Sequence, residues 1–196
     1  EALRPGDRLH IDQYKSTTTG RLPHTKGHEK SSFQYNGGLI AVDGASGKVF
    51  VRHQVSLAAG ETIQAMRAIV QDARDHGVRF KTIHTDNAPF NSIEFRDYVA
   101  NDLHAEQTFS GVGAHHQAGI AERAIGTITS WARTMMLHSI IHWPDAADIE
   151  LWPFAMDHAV HLWNTLPRKD SLLSPDELFS GVHHTDYSHL QRAHVW

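Results

Sequence analysis

Cysteine is absent from the 196 residues, which removes disulfides and every cysteine-based zinc module. No run of eighteen apolar residues occurs, so no membrane span is expected. The first residues, EALRPGDRLH, carry no signal-peptide core either. These features fit an intracellular protein. An excess of basic charge is also lacking: the net charge is −4 at neutral pH, the wrong sign for a chain that binds nucleic acid over its whole surface. The charge is unevenly spread, however. Residues 15–52 hold Lys15, Arg21, Lys26, Lys30, Lys48 and Arg52 against Glu29 and Asp43, a local +4 that leaves −8 on the rest. Such a bias marks either a phosphate-binding face or a solvated loop. What is present is ordinary globular composition, 40% hydrophobic and 20% charged, in a length that suits one domain with a sizeable core.

Hydrophobic periodicity orders the chain into elements. In Arg8–Tyr14, RLHIDQY, Leu9 and Ile11 alternate with His10, Asp12 and Tyr14, a strand with one polar face. Residues 15–36, rich in Ser, Thr, Gly and Lys, read as a long loop. Two strands follow, about 38–43 and 48–55, joined by a turn at Gly44 to Gly47. A helix over 59–76 places Ile63, Met66, Ile69, Val70 and Ala73 on one face, and Gly77 stands where a left-handed cap residue belongs. A strand at 79–85 comes next. Asn91 or Ser92 then caps a short helix to about Asp102, with Glu94 as a capping-box partner of Asn91. AEQTFS is the fifth strand. After a glycine-rich loop, a long helix runs from about 118 to 139, with Ile120, Ala124, Ile128, Trp131 and Met135 on its core face. Pro144 and Pro153 frame a break before a helix at 150–165, ended by Pro167, and a last short helix lies near 175–179. Trp143, Trp152 and Trp163 are expected to be buried. The order β-β-β-α-β-α-β-α, with further helices, predicts a mixed five-stranded sheet flanked by helices and a helical C-terminal extension. It is compatible with a ribonuclease H-like α/β fold.

Three acids stand out within this order. Asp12 lies on the polar face of the first strand, Asp86 ends the fourth, and Glu122 sits one turn into the long helix. If the first and fourth strands are neighbours, their aspartates lie side by side, and a helix across the sheet end brings Glu122 onto the pair. Three convergent carboxylates are hard oxygen ligands suited to Mg²⁺ or Mn²⁺, and two such ions serve phosphoryl transfer. The 35 residues between Asp86 and Glu122 are weak support by themselves, because a chain with this many acids gives such a pair readily. The 17 histidines also invite a metal reading. Yet the adjacent His115 and His116, and His158 and His161 on a helix, lack an acid or a third His at fixed spacing for zinc. Nor does a Gly-Lys-Ser/Thr follow the glycine-rich loop, as a mononucleotide phosphate cradle needs.

With these residues in place, the chain resembles the integrase catalytic core of long-terminal-repeat retrotransposons, of the copia type in particular, within the retroviral-type integrase superfamily. HTDNAPF is similar to the family's aspartate-asparagine turn, and HHQAGIAERAIGTITSWARTMM to its loop and glutamate helix. LWPFAMDHAVHLWNTLP, LSPDELFSG and HLQRAHVW resemble the segments that follow in the copia group. The likeness covers about Arg4 to Trp196. It implies a core domain over 4–167 and a C-terminal extension over 168–196, packed on the core or trailing it. It further implies a polynucleotidyl transferase and endonuclease, part of a polyprotein, that trims the 3′ ends of element DNA and joins them to host DNA. Asp12, Asp86 and Glu122 would be catalytic and metal-binding, holding two Mg²⁺ or Mn²⁺ ions in the active complex. Asn87, His115, His116, Gln117 and Arg123 would lie on DNA. Element ends, target DNA and further copies of the chain would be the partners, with no membrane involved. The nucleus, reached by way of cytoplasmic virus-like particles, would be the location.

The sequence departs from the family pattern at Ala88, where Gly is usual, and at Ala118, where Asn is usual. Gly126 and Thr129 occupy the helix face beyond Glu122, where the family often carries basic residues. Two other function classes therefore stay open. One is a ribonuclease H-type nuclease drawing a further acid from Glu61, Asp72 or Asp75; the other is a non-catalytic DNA-binding or assembly remnant of an integrase.

Overall fold

A computed structural model describes residues 3–23, 34–86, 90–110 and 115–183, without the side chains of 115–118. Five strands form one sheet: β1 (Leu9–Gly20), β2 (Tyr35–Asp43), β3 (Val49–Gln54), β4 (Thr82–Thr85) and β5 (Glu106–Phe109), in the order β3-β2-β1-β4-β5. The first three pair antiparallel, while β1–β4 and β4–β5 pair parallel. Helices α1 (Ala59–Asp75), α2 (Ile93–Asp97), α3 (His115–His142), α4 (Trp152–Thr165) and α5 (Pro175–Ser180) flank the sheet. The predicted mixed five-stranded sheet is present.

Strand alternation separates two cores. Leu9, Ile11, Leu39, Ala41 and Phe50 face one side, against Met66, Ile69 and Ala73 of α1, Phe95 of α2 and Phe179 of α5. Ile40, Val42, Val49 and Val51 face the other, against Ala124, Ile128 and Ala132 of α3 and Met156 and Ala159 of α4. The predicted face of the long helix is there: Ala124 and Ile128 are buried, and Ile120, Trp131 and Met135 pack on the same cluster.

Several boundaries differ from the sequence expectation. Lys15–Gly20, read as loop, continue β1, and Gly20 pairs with Tyr35 across a register irregularity. Here the strand has left the hydrophobic core, so no apolar alternation marks it. Backbone pairing, β-branched Thr17–Thr19 and the Nε1–H of Trp152 donating to Thr18 O (2.9 Å) hold it instead. The fourth strand shortens to Thr82–Thr85, although Phe80 is still buried. Ser92 caps α2 by accepting the Phe95 N–H (3.2 Å), which puts Phe95, not Glu94, at the third helical position. The Asn91–Glu94 box is therefore not formed, and residues 98–102 close the segment as a π turn. The long helix starts at His115 rather than 118. Trp143, expected in the core, is 47% exposed, because α3 ends at His142 and the chain turns away there.

Beyond α3, the described residues Asn164 and Ser174–Ser180 are tied to the sheet. Gly77 adopts the left-handed conformation expected of it (φ +73°). Ser174 and Glu177 form a reciprocal capping box at α5, and Phe179 packs edge-on to Phe50 (5.5 Å). On the open edge of β3, the buried Asn164 side chain accepts the Val49 N–H (2.8 Å) and donates to Val49 O (2.7 Å). It stands in for a sixth strand at that residue.

Candidate active site

Parallel pairing of β1 with β4 sets the site. The register Leu9↔Ile83, His10↔His84, Ile11↔Thr85 leaves Asp12 and Asp86 one step beyond the last pair, both on the face that His10 and His84 occupy. From α3, Ala121 and Glu122 close over this face. Asp12, Asp86, Glu122, His10, His84 and Ser110 line one small cleft of about 10 Å³, room for about one water-sized body. The structure thus brings the three predicted acids together from three elements.

Electrostatics agree with that placement. Burial raises the Asp12 carboxyl above the usual range, and the nearby charges of Asp86 and Glu122 raise it further. The backbone N–H of Gln13, donating to Asp12 Oδ1 (2.7 Å), opposes the shift. Beneath the acids, His10 and His84 meet edge to face at 5.1 Å. Burial and its neighbours His84 and Arg8 lower His10 to about 4, and burial likewise lowers His84. Both rings are therefore neutral near pH 7. His84 is bonded through Nδ1 to Thr108 Oγ1 (2.9 Å) and through Nε2 to Ser110 Oγ (3.2 Å). His10 Nδ1 is buried with no hydrogen-bond partner among the described residues.

The donor set fits a hard divalent cation in kind, with three carboxylates from three elements. Its arrangement does not. Among the described residues, no group of three or more His, Asp or Glu stands so that it could hold a metal ion. One Asp12 oxygen, Oδ1, accepts the N–H of its own backbone neighbour Gln13 (2.7 Å).

No model of a known protein family matches the chain, and no curated protein sequence does. Solved structures do. The catalytic core domain of HTLV-2 integrase in complex with magnesium, in its trimeric form, is 22% identical with a TM-score of 0.62, covering 91% of this chain and 99% of that one. The catalytic core domain of BIV integrase is 16% identical with a TM-score of 0.61, covering 95% and 99%. A chain of the simian T-cell lymphotropic virus intasome, in complex with the PP2A regulatory subunit B56 gamma, is 19% identical with a TM-score of 0.64, covering 95% of this chain and 59% of that one.

The fold is that of a retroviral integrase catalytic core.

Within this ribonuclease H-like integrase-core fold, the remaining predicted residues divide. Arg123 is exposed beside Glu122. Asn87 and the side chains of His115, His116 and Gln117 lie outside the described residues, as do Ala88, the side chain of Ala118 and the HLQRAHVW segment. The acids of α1 are engaged elsewhere: Glu61 accepts the N–H groups of Val55 and Ser56, Asp72 pairs with Arg52, and Asp75 accepts from Gln71. None of them lines the cleft. Of the basic residues in 15–52, Arg21, Lys48 and Arg52 are ion-paired with Asp148, Asp176 and Asp72. The His10–His84 pair was not anticipated. A signal for it is visible in the sequence, since LHID and IHTD each place a histidine two residues before the aspartate, and strand period two puts both on one face.

Proposed function

We propose that the chain is a copia-type retrotransposon integrase core, a metal-dependent enzyme that trims the 3′ ends of element DNA and joins them to host DNA. One observation carries this reading: Asp12, Asp86 and Glu122 reach a single cleft from β1, the end of β4 and α3 of an integrase-core fold. For Asp12 and Asp86 to hold one Mg²⁺ or Mn²⁺, and Asp12 and Glu122 a second, these side chains would have to turn from the positions they occupy here. When bound, such ions activate the attacking oxygen and neutralise charge on the phosphate. A magnesium complex of the HTLV-2 core supports that choice of metal.

The chain's own residues position and shield. Asp12, on a strand paired along both edges up to Ile11, is the fixed member of the trio. Asp86 and Glu122, both exposed, face the incoming DNA. Arg123 offers a phosphate a cation next to the site. His10 and His84 stay neutral behind the acids and hold β1, β4 and β5 at a fixed spacing. Trimming forms a phosphorus–oxygen bond from water and breaks the bond to the 3′ oxygen upstream, which leaves as a hydroxyl. Joining forms a bond from that hydroxyl to a host phosphorus and breaks one host phosphodiester. Bond number is conserved in joining, so neither a nucleotide energy source nor a protein nucleophile is needed. Dimeric and trimeric forms of the HTLV-2 core support self-association to hold two DNA ends.

A second reading, a DNA-binding or assembly remnant without catalysis, draws on the cation geometry among the described residues and on uncharged Gly126 and Thr129 beyond Glu122. Calorimetric titration with Mg²⁺ and Mn²⁺, alongside cutting and joining of an end-mimicking oligonucleotide, separates the two. The enzyme reading expects ion binding, metal-dependent cutting, and loss of both in Asp86→Asn with the fold intact. A folded wild-type chain that binds neither ion and leaves the oligonucleotide whole defeats it.

A further inference from the structure

Past the carboxylates, on the same side of the sheet, β1, α3 and α4 enclose a second cleft of about 390 Å³ that shares no lining residue with the first. This volume lies within the range of small-molecule sites. Ile125 and Met136 of α3, Trp152 and Met156 of α4, and Ile149 form its walls, and Tyr14 of β1 contributes to its lining. The two aromatic groups have their polar ends satisfied. Tyr14 Oη is hydrogen-bonded to His53 Nδ1 (2.6 Å), and Trp152 Nε1–H donates to Thr18 O (2.9 Å). They meet edge to face at 6.2 Å, and His53 meets Trp152 in the same way at 5.2 Å. A surface pinned in this manner is apolar and largely preformed.

Two cations also line this cleft. Lys15 and Arg133 are both exposed. Neither makes an ion pair or side-chain hydrogen bond among the described residues, in contrast to Arg21, Lys48 and Arg52. Apolar walls beneath two uncompensated cations define one ligand chemistry. We propose that this cleft binds a small apolar anion, an aromatic or branched aliphatic body carrying one carboxylate or sulfonate. The apolar body replaces water against Trp152 and the two methionines, and the anionic group accepts charge-assisted hydrogen bonds from Lys15 and Arg133. A nucleotide fits less well, because apart from the hydroxyls of Ser16, Thr18 and Thr129 the walls present little to a polar base edge.

Fluorescence titration of the whole chain with 1-anilinonaphthalene-8-sulfonate and its sulfonate-free parent, 1-anilinonaphthalene, tests the proposal. The wild type is expected to bind the sulfonate about tenfold more tightly than the parent. The double variant Lys15→Gln/Arg133→Gln should erase that preference while leaving the parent's affinity unchanged. Ile149→Glu, at a position 63% exposed and therefore safe for folding, should weaken the sulfonate about tenfold or more. The proposal is overturned if the double variant keeps the preference or if Ile149→Glu has no effect. It is equally overturned if thymidine 5′-monophosphate displaces the probe as well as naphthalene sulfonate does, which would assign the cleft to the nucleic-acid path.

Discussion

Asn164 offers the sharpest test of how the sheet is completed. Its amide makes two hydrogen bonds to the one residue Val49, which is 1% exposed on the outer strand β3. Asn164→Ala removes both bonds, each worth about 1 kcal/mol net. It also strands a buried N–H and a buried C=O, at about 1–3 kcal/mol each if water cannot reach them. Partial hydration through the new space lowers the sum, so we expect a loss of about 2–4 kcal/mol. With a urea m-value of roughly 2 kcal/mol/M, the unfolding midpoint falls by about 1–2 M. Asn164→Asp refines the test, since the carboxylate still accepts from Val49 N but turns a second acceptor on Val49 O. Burial and that repulsion raise the new carboxyl's folded-state pKa above its unfolded value. Its protonated form can donate to Val49 O, so this variant should regain stability below the unfolded pKa and lose it as pH rises through the folded one. Urea melts at pH 4 and pH 8 read both effects. A midpoint shift for Asn164→Ala within about 0.3 M of zero would refute the reasoning.

Other consequences are open to simpler measurements. The Asp12 carboxyl is raised by burial and by Asp86 and Glu122, so its ionisation costs stability as pH climbs through the folded-state pKa. Asp12→Asn should therefore raise Tm at pH 8 and change it little near pH 3, and under the proposed function it should also abolish DNA cutting; an unchanged or lower Tm at pH 8 counts against the electrostatic account. His10 has its pKa lowered to about 4 from 6.5, so it contributes stability that is present above pH 6.5 and lost as pH falls through 4. That loss is about 2–3 kcal/mol, and His10→Asn should flatten the acid limb of a stability–pH profile by this amount. Phe179→Ala, at a side chain packed on Phe50 and Phe80, should cost about 3–5 kcal/mol in chemical unfolding. A cost below about 1 kcal/mol would mean that α5 only rests on the sheet.

Much of the architecture was legible in the sequence because it follows local rules. Alternation in RLHIDQY and the helical period from Ile63 to Ala73 report which side of each element is buried, and the sheet agrees. The acids were legible for the same reason: once β1 and β4 are neighbours, strand period two sets Asp12 and Asp86 side by side. What escaped depends on contacts distant in sequence. Lys15–Gly20 looks like loop because its partners are the backbone at Tyr35 and the indole of Trp152, neither of which leaves a pattern in KSTTTG. The Asn of LWNTLP gives no hint that it completes a strand edge, since Val49 lies in another part of the chain. Nor does the sequence record that one Asp12 oxygen turns to Gln13 N–H.

The strand order also has a bearing on how the chain reaches its fold. β1 is made first but lies in the centre of the sheet, with β2 on one edge and β4 on the other. During synthesis β2 and β3 can pair with it at once as a meander. Its other edge, Leu9–Ile11, stays open until Thr82–Thr85 emerges behind α1. An apolar strand with an open edge is a template for wrong partners, so the nascent chain is most vulnerable to aggregation in that interval. The same interval precedes any convergence of the acids, because the ladder that protects the edge is the one that delivers Asp86.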